Sequence, residues 1–364
     1  MIDGQPQPND ADGADAALAD AFGPPPSTTD PHGHLPVLLG ECLDYLSPQA
    51  GETVVDCTAG RGGHAVRFAQ AVGPTGRIVL LDVDAENLAY AAERVRRESG
   101  CEPLAIHTTF AGVEGALRTL RGQTGLKADV VLADLGFSST QMDDPGRGFS
   151  FMADGPLDMR LNLSAGPTAG PTAAELLRTL PERSLADLIF RLGEEPLARR
   201  IARKVVEVRG REPIESTAHL ARLVREAYGS RAHQSRLHPA TRTFMALRIA
   251  VNDELGALRS LLQAVRSGAQ AAARDADDGW LRRGARVGII AFHSLEDRLV
   301  KRAFADMSSA GLVEVRTRRP VVSCDAETAA NPRSRSAKLR VVRVAMAGIP
   351  VEDSDSVGRS PTGE

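Results

Sequence analysis

Thr53-Val-Val-Asp-Cys-Thr-Ala-Gly-Arg-Gly-Gly-His64 decides the fold. A β-branched run ends on an acid, glycines follow at once, and helical spacing runs from His64 to Val72. Glycines directly after a strand let the backbone approach a ligand closely, and the helix N-terminus behind them adds partial positive charge. Working outward, Arg77–Asp84 (RIVLLDVD) is a continuous apolar run, as for a strand buried on both faces. Ala85–Ser99 has helical periodicity, with Gly100 placed as a C-cap. Pro103–Phe110 and Ala128–Gly136 read as further strands, with a helix over 111–121 between them. Strands alternating with helices predict right-handed crossovers and an α/β fold with a doubly wound, mostly parallel sheet.

The pattern breaks after residue 142. From 143 to 248 there is little strand signal and a series of short helices, read as an inserted all-helical domain. Within it Ser184 is placed as a helix cap and Gly193 as the end of that helix, with Pro196 opening the next. The α/β pattern resumes with a helix over 241–266, a strand at Ala285–Phe292, a helix over 295–307 and strands near 312–318 and 338–346. The expected domains are a core in two parts, 32–142 and 249–349, interrupted by the insert at 143–248. Residues 1–31 and 350–364, rich in Asp, Gly, Pro and Ser, are expected to be disordered tails.

Hydrophobic content of 42% and charged content of 25% exclude a wholly disordered or fibrous chain. No run approaches the roughly 18 apolar residues of a membrane span. The first basic residue is Arg61, so no positively charged leader is expected, and the four scattered cysteines read as free thiols in a reducing, cytoplasmic setting. Net charge is −3, but it is unevenly spread. The first thirty residues hold six Asp and no Lys or Arg, whereas 159–250 hold 16 Lys or Arg against 9 Asp or Glu. That basic surplus suits RNA. Pairs such as Glu195–Arg199 and Glu207–Arg211, at helical i, i+4 spacing, are expected to consume part of it.

Ligands of open α/β sheets bind at the carboxyl ends of the strands. The glycine turn alone is weak evidence: it is also a tight turn with no ligand, and a dinucleotide G-x-G-x-x-G is not quite present. Asp82, 22 residues after Gly60, has the spacing of an acid that accepts ribose hydroxyls. Together they fit either adenosylmethionine or a nicotinamide cofactor. Asp134-Leu-Gly-Phe137 separates the two, because an acid with an aromatic three residues on resembles the element of amino-group methyltransferases. The exocyclic amine of a nucleobase has its lone pair delocalised into the ring. A carboxylate accepting its N–H localises that pair, while an aromatic stacks on the base.

Eight segments then resemble one family. They are His34-Leu-Pro-Val-Leu-Leu-Gly-Glu41, Gly60-Arg-Gly-Gly-His64, Asp134-Leu-Gly-Phe-Ser-Ser139, Arg147-Gly-Phe-Ser-Phe151, Gly155-Pro-Leu-Asp-Met-Arg160, His238-Pro-Ala-Thr-Arg-Thr-Phe244, Phe292-His-Ser-Leu-Glu-Asp-Arg298 and Asn331-Pro-Arg-Ser-Arg-Ser336. In this order they resemble the bacterial small-subunit ribosomal RNA cytosine-N4 methyltransferase family (RsmH, also called MraW), over roughly 34–346. The resemblance implies a class I, Rossmann-like methyltransferase core with a helical insert and S-adenosyl-L-methionine as methyl donor. It implies cofactor contacts from Gly62, Gly63, His64, Asp82, Phe110, Asp134 and Gln141. It also implies a cytidine of 16S rRNA as substrate, within the small ribosomal subunit. Asp134 has two candidate roles, donor contact and amine acceptor, and Phe137 is its catalytic companion. The chain departs from the family in its acidic N-terminal tail and in a variable stretch at 316–330.

Arg147, Phe149, Arg160, His238, Arg242, His293, Arg333 and Arg335 are the candidate RNA contacts. For His293 a structural hydrogen-bond network is an equal reading, and Phe149 is a candidate for the core. His32 and His34 have no acid partners nearby, so no metal is assigned, and no membrane partner is expected. A non-catalytic RNA-binding assembly factor would share the basic insert. A nicotinamide oxidoreductase would share the glycine turn and Asp82 but leave Asp134 and Phe137 unexplained.

Overall fold

The computed structural model describes residues 35–136, 141–142, 144–162, 170–234 and 238–346 of the chain. The chain divides into Met1–Pro36, of which only Leu35 and Pro36 are described, and Val37–Glu364. Both expected tails lie outside the described residues.

β1 (Thr53–Asp56), β2 (Arg77–Asp82), β3 (Leu104–His107), β4 (Ala128–Asp134), β5 (Leu281–Ala291), β6 (Val313–Val315) and β7 (Lys338–Val344) form one sheet in the order β3-β2-β1-β4-β5-β7-β6. The first five pair in parallel, and β7 runs antiparallel between β5 and β6. Strand order reverses between β1 and β4, which makes their carboxyl ends the switch point at which open α/β sheets bind ligands. The helices are α1 (Leu39–Leu46), α2 (Gly63–Val72), α3 (Ala85–Ser99) and α4 (Val113–Thr124). Between β4 and β5 come α5 (Ala173–Thr179), α6 (Glu182–Gly193), α7 (Ala198–Arg209), α8 (Thr217–Tyr228), α9 (Ala240–Val251) and α10 (Glu254–Ala273). α11 (Ser294–Ser309) and α12 (Asp325–Ala330) follow β5 and β6.

Period-two alternation explains why the sheet is covered on both sides. Val55, Val79, Leu81 and Val131 share one apolar cluster with Leu117 of α4, Leu261 of α10 and Phe304 of α11. Their neighbours Val54, Ile78, Leu80 and Val130 share the other with Leu46 of α1, Phe68 of α2 and Val95 of α3. Every residue of β1 is buried, and β2 is buried from Ile78 to Leu81, which is why β2 reads as a continuous apolar run. A third cluster joins Leu185, Ile189, Ile201, Val205, Leu220, Val224 and Leu247. At about 1.5–3 kcal/mol for each fully buried Leu, Ile or Val, the helices α5–α9 have a core of their own. Among the described residues no helix is long and apolar enough to cross a membrane.

Two local expectations change. The helix over 241–266 is two helices, α9 and α10, with the break at Asn252 and Asp253: Asp253 takes the left-handed conformation at φ 45° and ψ 42°, and the Asn252 side chain reaches distant backbone. Its amide donates to the Met159 carbonyl at 2.7 Å, and its oxygen accepts the Leu161 N–H at 2.8 Å. α6 begins at Glu182 with Pro181 at the N-cap, so Ser184 lies inside its first turn. Gly193 is the last residue of α6, as expected, but it is not the residue that takes the left-handed conformation. It is buried against α9, where a Cβ would come within 2.5 Å of the Arg242 carbonyl. The left-handed position falls instead on Glu194, at φ 48° and ψ 38°. A non-glycine residue there costs on the order of 1 kcal/mol or more.

Candidate active site

The turn after β1 is built as its glycines require. Gly60 and Gly62 take φ of 49° and 77°. At Gly62 a Cβ would lie 3.2 Å from the Ala91 Cα, so this glycine seats the turn against α3. Gly63 opens α2. The Gly60 N–H donates to Asp82 Oδ2 at 2.7 Å and the Asp84 N–H donates to Oδ1 at 2.8 Å. The ribose-spaced acid of β2 therefore also holds the glycine turn in place. Asp84 caps α3 and accepts the Gln141 amide at 3.1 Å, with the Arg147 guanidinium 3.6 Å away. Gln141 is thus drawn to the β2 end. Phe110 opens a short 3-10 turn after β3 and is half-buried.

Asp134 ends β4, beside β1. Its backbone N–H donates to Thr58 Oγ1 at 2.7 Å, which ties the two strand ends together. Its Oδ2 is 3.9 Å from His64 Nδ1, and the other nitrogen of that ring, Nε2, pairs with the Val37 carbonyl at 2.9 Å. Oδ1 is buried and has no hydrogen-bond partner among the described residues. Burial, reinforced by the charges of Asp56 and Glu296, holds the Asp134 carboxyl well above the usual aspartate range. Burial pushes Asp56 up to about 7, with Asp82 adding to the rise, and Asp82 is itself raised by burial. No Lys or Arg ion pair reaches Asp56, Asp82 or Asp134 among the described residues. A group of buried and half-buried acids without a Lys or Arg partner among the described residues favours a cationic or hydrogen-donating ligand.

Asp56 and Asp84 were not singled out by sequence. Asp56 sits inside the quoted motif, but what sets it apart is burial beside two other strand-end acids. Phe137 lies outside the described residues.

The β5 end is a capped helix start. Glu296 Oε2 accepts the Phe292 and His293 N–H groups at 2.9 and 3.3 Å, and His293 Nδ1 accepts the Glu296 N–H at 3.4 Å. Burial lowers His293 to about 4 and raises Glu296 to about 7, so His293 is neutral near pH 7. Glu254, His293 and Glu296 bring ligand atoms within 4.8 Å of one another, a grouping that sequence did not suggest. Arg248 already grips both Glu254 oxygens, at 2.8 and 2.9 Å.

The remaining RNA candidates are scattered. Arg147 donates to the Arg160 and Leu161 carbonyls, and Arg160 grips Asp158 through two bonds of 2.8 and 2.7 Å. Both hold the chain that leaves the sheet. Phe149 is 6% exposed in the core of the insert, so its face is not offered to a base. His238 stacks on Phe151 with centroids 4.4 Å apart, and Arg225 stands 3.2 Å from it. Arg242, Arg333 and Arg335 are exposed. Glu195 does not pair with Arg199. It is fully buried and accepts the Tyr228 hydroxyl at 2.8 Å, whereas Glu207 does face Arg211 at 3.7 Å. A cavity of about 570 Å³ lies in the insert, lined by Leu157, Arg178, Arg209 and Ile214, and no strand-end acid lines it.

The strand order with its antiparallel β7, the glycine turn and the carboxylate group define an α/β fold of the Rossmann-like methyltransferase class. The chain belongs to the MraW methylase family, whose model matches residues 31–345. The ribosomal RNA small subunit methyltransferase H of Acidobacterium capsulatum is 43% identical over 313 residues, covering 84% of this chain and 97% of that protein. The same-named protein of Geobacter sp. (strain M21) is 42% identical over 324 residues, covering 85% and 97%. A solved putative rRNA-methylase from Clostridium thermocellum aligns at 12% identity and a TM-score of 0.34, covering 85% of this chain and 99% of that one.

Proposed function

We propose that this protein transfers a methyl group from S-adenosyl-L-methionine to the exocyclic N4 amine of a cytidine in 16S rRNA, within the small ribosomal subunit. The observation that carries this reading is Asp134 Oδ1, a buried carboxylate oxygen with no partner among the described residues, at the switch point of the sheet. An acceptor left open at that place suits an amine N–H. By drawing on that hydrogen, Asp134 localises the nitrogen lone pair, and it takes up the charge that develops as the N–C bond forms.

The residues present fit the cofactor. Gly62 brings the turn close to α3, Asp82 faces the turn with lone pairs to spare for ribose hydroxyls, and Gln141 is held at the β2 end by Asp84. Asp56, Asp82 and Asp134 together favour a positive charge over a neutral one. When bound, the cofactor supplies an electrophilic methyl group on a sulfonium. The chain's own work is to hold the amine, accept its hydrogen and keep the strand ends in register through Thr58. The basic surplus of the insert, from Arg191 through Arg225, supplies sequence-independent attraction to phosphates.

The test uses labelled adenosylmethionine and unmethylated small ribosomal subunits. Asp134→Ala is expected to lower turnover by a factor of about 10²–10³ or more, the range for removing a group aimed at a transition state. Near-normal turnover by that variant would end the proposed mechanism.

A further inference from the structure

The left-handed Glu194 stands where a glycine would be easiest, directly after a glycine that the fold uses for something else. Its side chain crosses from the insert to the core. Ser294 Oγ donates to Glu194 Oε2 at 2.7 Å, and Arg298 Nη2 donates to Oε1 at 3.1 Å. These bonds hold the Glu194 carboxyl below the ordinary glutamate value. Its backbone carbonyl accepts Arg242 of α9 at 3.3 Å. Ser294 is the first residue of α11, next to His293 and two before Glu296, whose carboxylate fastens the β5 end. β5 in turn pairs with β4 at Ile290 and Asp134. A continuous set of contacts therefore runs from the end of α6 to the acid that carries the chemistry.

We propose that Glu194 is a positioning residue that pins the helical insert to the start of α11 and so fixes where RNA held by the insert meets Asp134. This rests on the methyltransferase reading above. A surface ion pair alone contributes little, but here the carboxylate joins two parts of the chain a hundred residues apart, at a backbone conformation that disfavours its side chain. Misplacing a reacting group by about 1 Å costs up to about a hundredfold in rate without loss of binding.

Glu194→Gly separates positioning from folding. Glycine relieves the left-handed backbone and keeps the carbonyl that Arg242 uses, so it removes only the side-chain bonds. In the full chain, with labelled adenosylmethionine and unmethylated small subunits, the single-turnover rate is expected to fall by about tenfold or more. The melting temperature should stay at or above that of the unaltered protein, and affinities for cofactor and subunit should stay within about twofold. Arg298→Ala should reproduce part of the loss, and the double variant should be no worse than Glu194→Gly, as for two members of one contact. An unchanged single-turnover rate overturns the proposal. So does a joint fall in melting temperature and cofactor affinity, which would make Glu194 purely structural. No label from the unaltered protein overturns the methyltransferase reading itself, and this inference with it.

Discussion

The strand-end crevice and the helical insert solve opposite electrostatic problems. In the crevice, Asp56, Asp82 and Asp134 are drawn together with no Lys or Arg ion pair among the described residues. In the insert, cations outnumber acids, and many stand on the surface in loose pairs such as Arg203–Glu182 at 3.7 Å and Arg222–Glu226 at 3.6 Å. Burial makes the first group few, specific and expensive to leave unpaired. Exposure makes the second many, interchangeable and screened by salt. A buried acid without a partner marks a place for one small ligand, whereas an exposed basic surplus marks a surface for a polyanion.

That contrast breaks most visibly if the insert's charge is reversed. Arg199, Arg200 and Arg203 together changed to Glu should weaken subunit binding by about a hundredfold or more at low salt and flatten its salt dependence. Cofactor affinity should be unchanged. Equal loss of both would show that the two regions are not separate.

The next effect is on stability. Asp56 keeps its proton to about pH 7 in the fold, far above the ordinary aspartate value. Between about pH 4 and 7 the folded state therefore binds more protons than the unfolded one, and the stabilisation present at low pH is lost as pH rises through 7. Asp56→Asn should remove that decline, with a gain on the order of 2–4 kcal/mol over the unaltered protein at pH 8 and little difference at pH 4. Denaturant unfolding at both pH values measures it. A difference independent of pH would contradict the account.

A smaller effect sharpens the crevice side. Adenosylmethionine carries a sulfonium charge that adenosylhomocysteine lacks. Its affinity relative to the uncharged product should rise by up to about tenfold per pH unit as Asp56 ionises near 7. Titration calorimetry of both ligands between pH 6 and 8 checks this, and a flat ratio would mean the acids do not sense the cofactor charge. Smallest of all, Glu226→Gln removes the partner of Lys204 and Arg222 yet should change stability by less than about 1 kcal/mol. A larger loss in thermal unfolding would place those pairs inside a cooperative network.

The sheet was legible because strands buried on both faces write themselves as apolar runs. The glycine turn at Gly60 and Gly62 and the place of Asp82 at the end of β2 were legible because they depend on spacing along the chain. Asp56 was not, since its character comes from burial and from neighbours on other strands. Nor were the helix break at Asn252 and left-handed Asp253, or the left-handed Glu194: Asn252 meets the Met159 and Leu161 backbone and Glu194 meets Ser294 and Arg298, roughly a hundred residues away. Phe149 read as a stacking candidate beside the catalytic strand, but the packing of the insert took it inward.

The most direct measurement supplies labelled adenosylmethionine to the protein with unmethylated small subunits and, in parallel, naked 16S rRNA, then digests the RNA and identifies the labelled nucleoside by mass. Label in N4-methylcytidine, lost in Asp134→Ala, is the predicted result. Label in another nucleoside, or none while adenosylmethionine still binds, would contradict it.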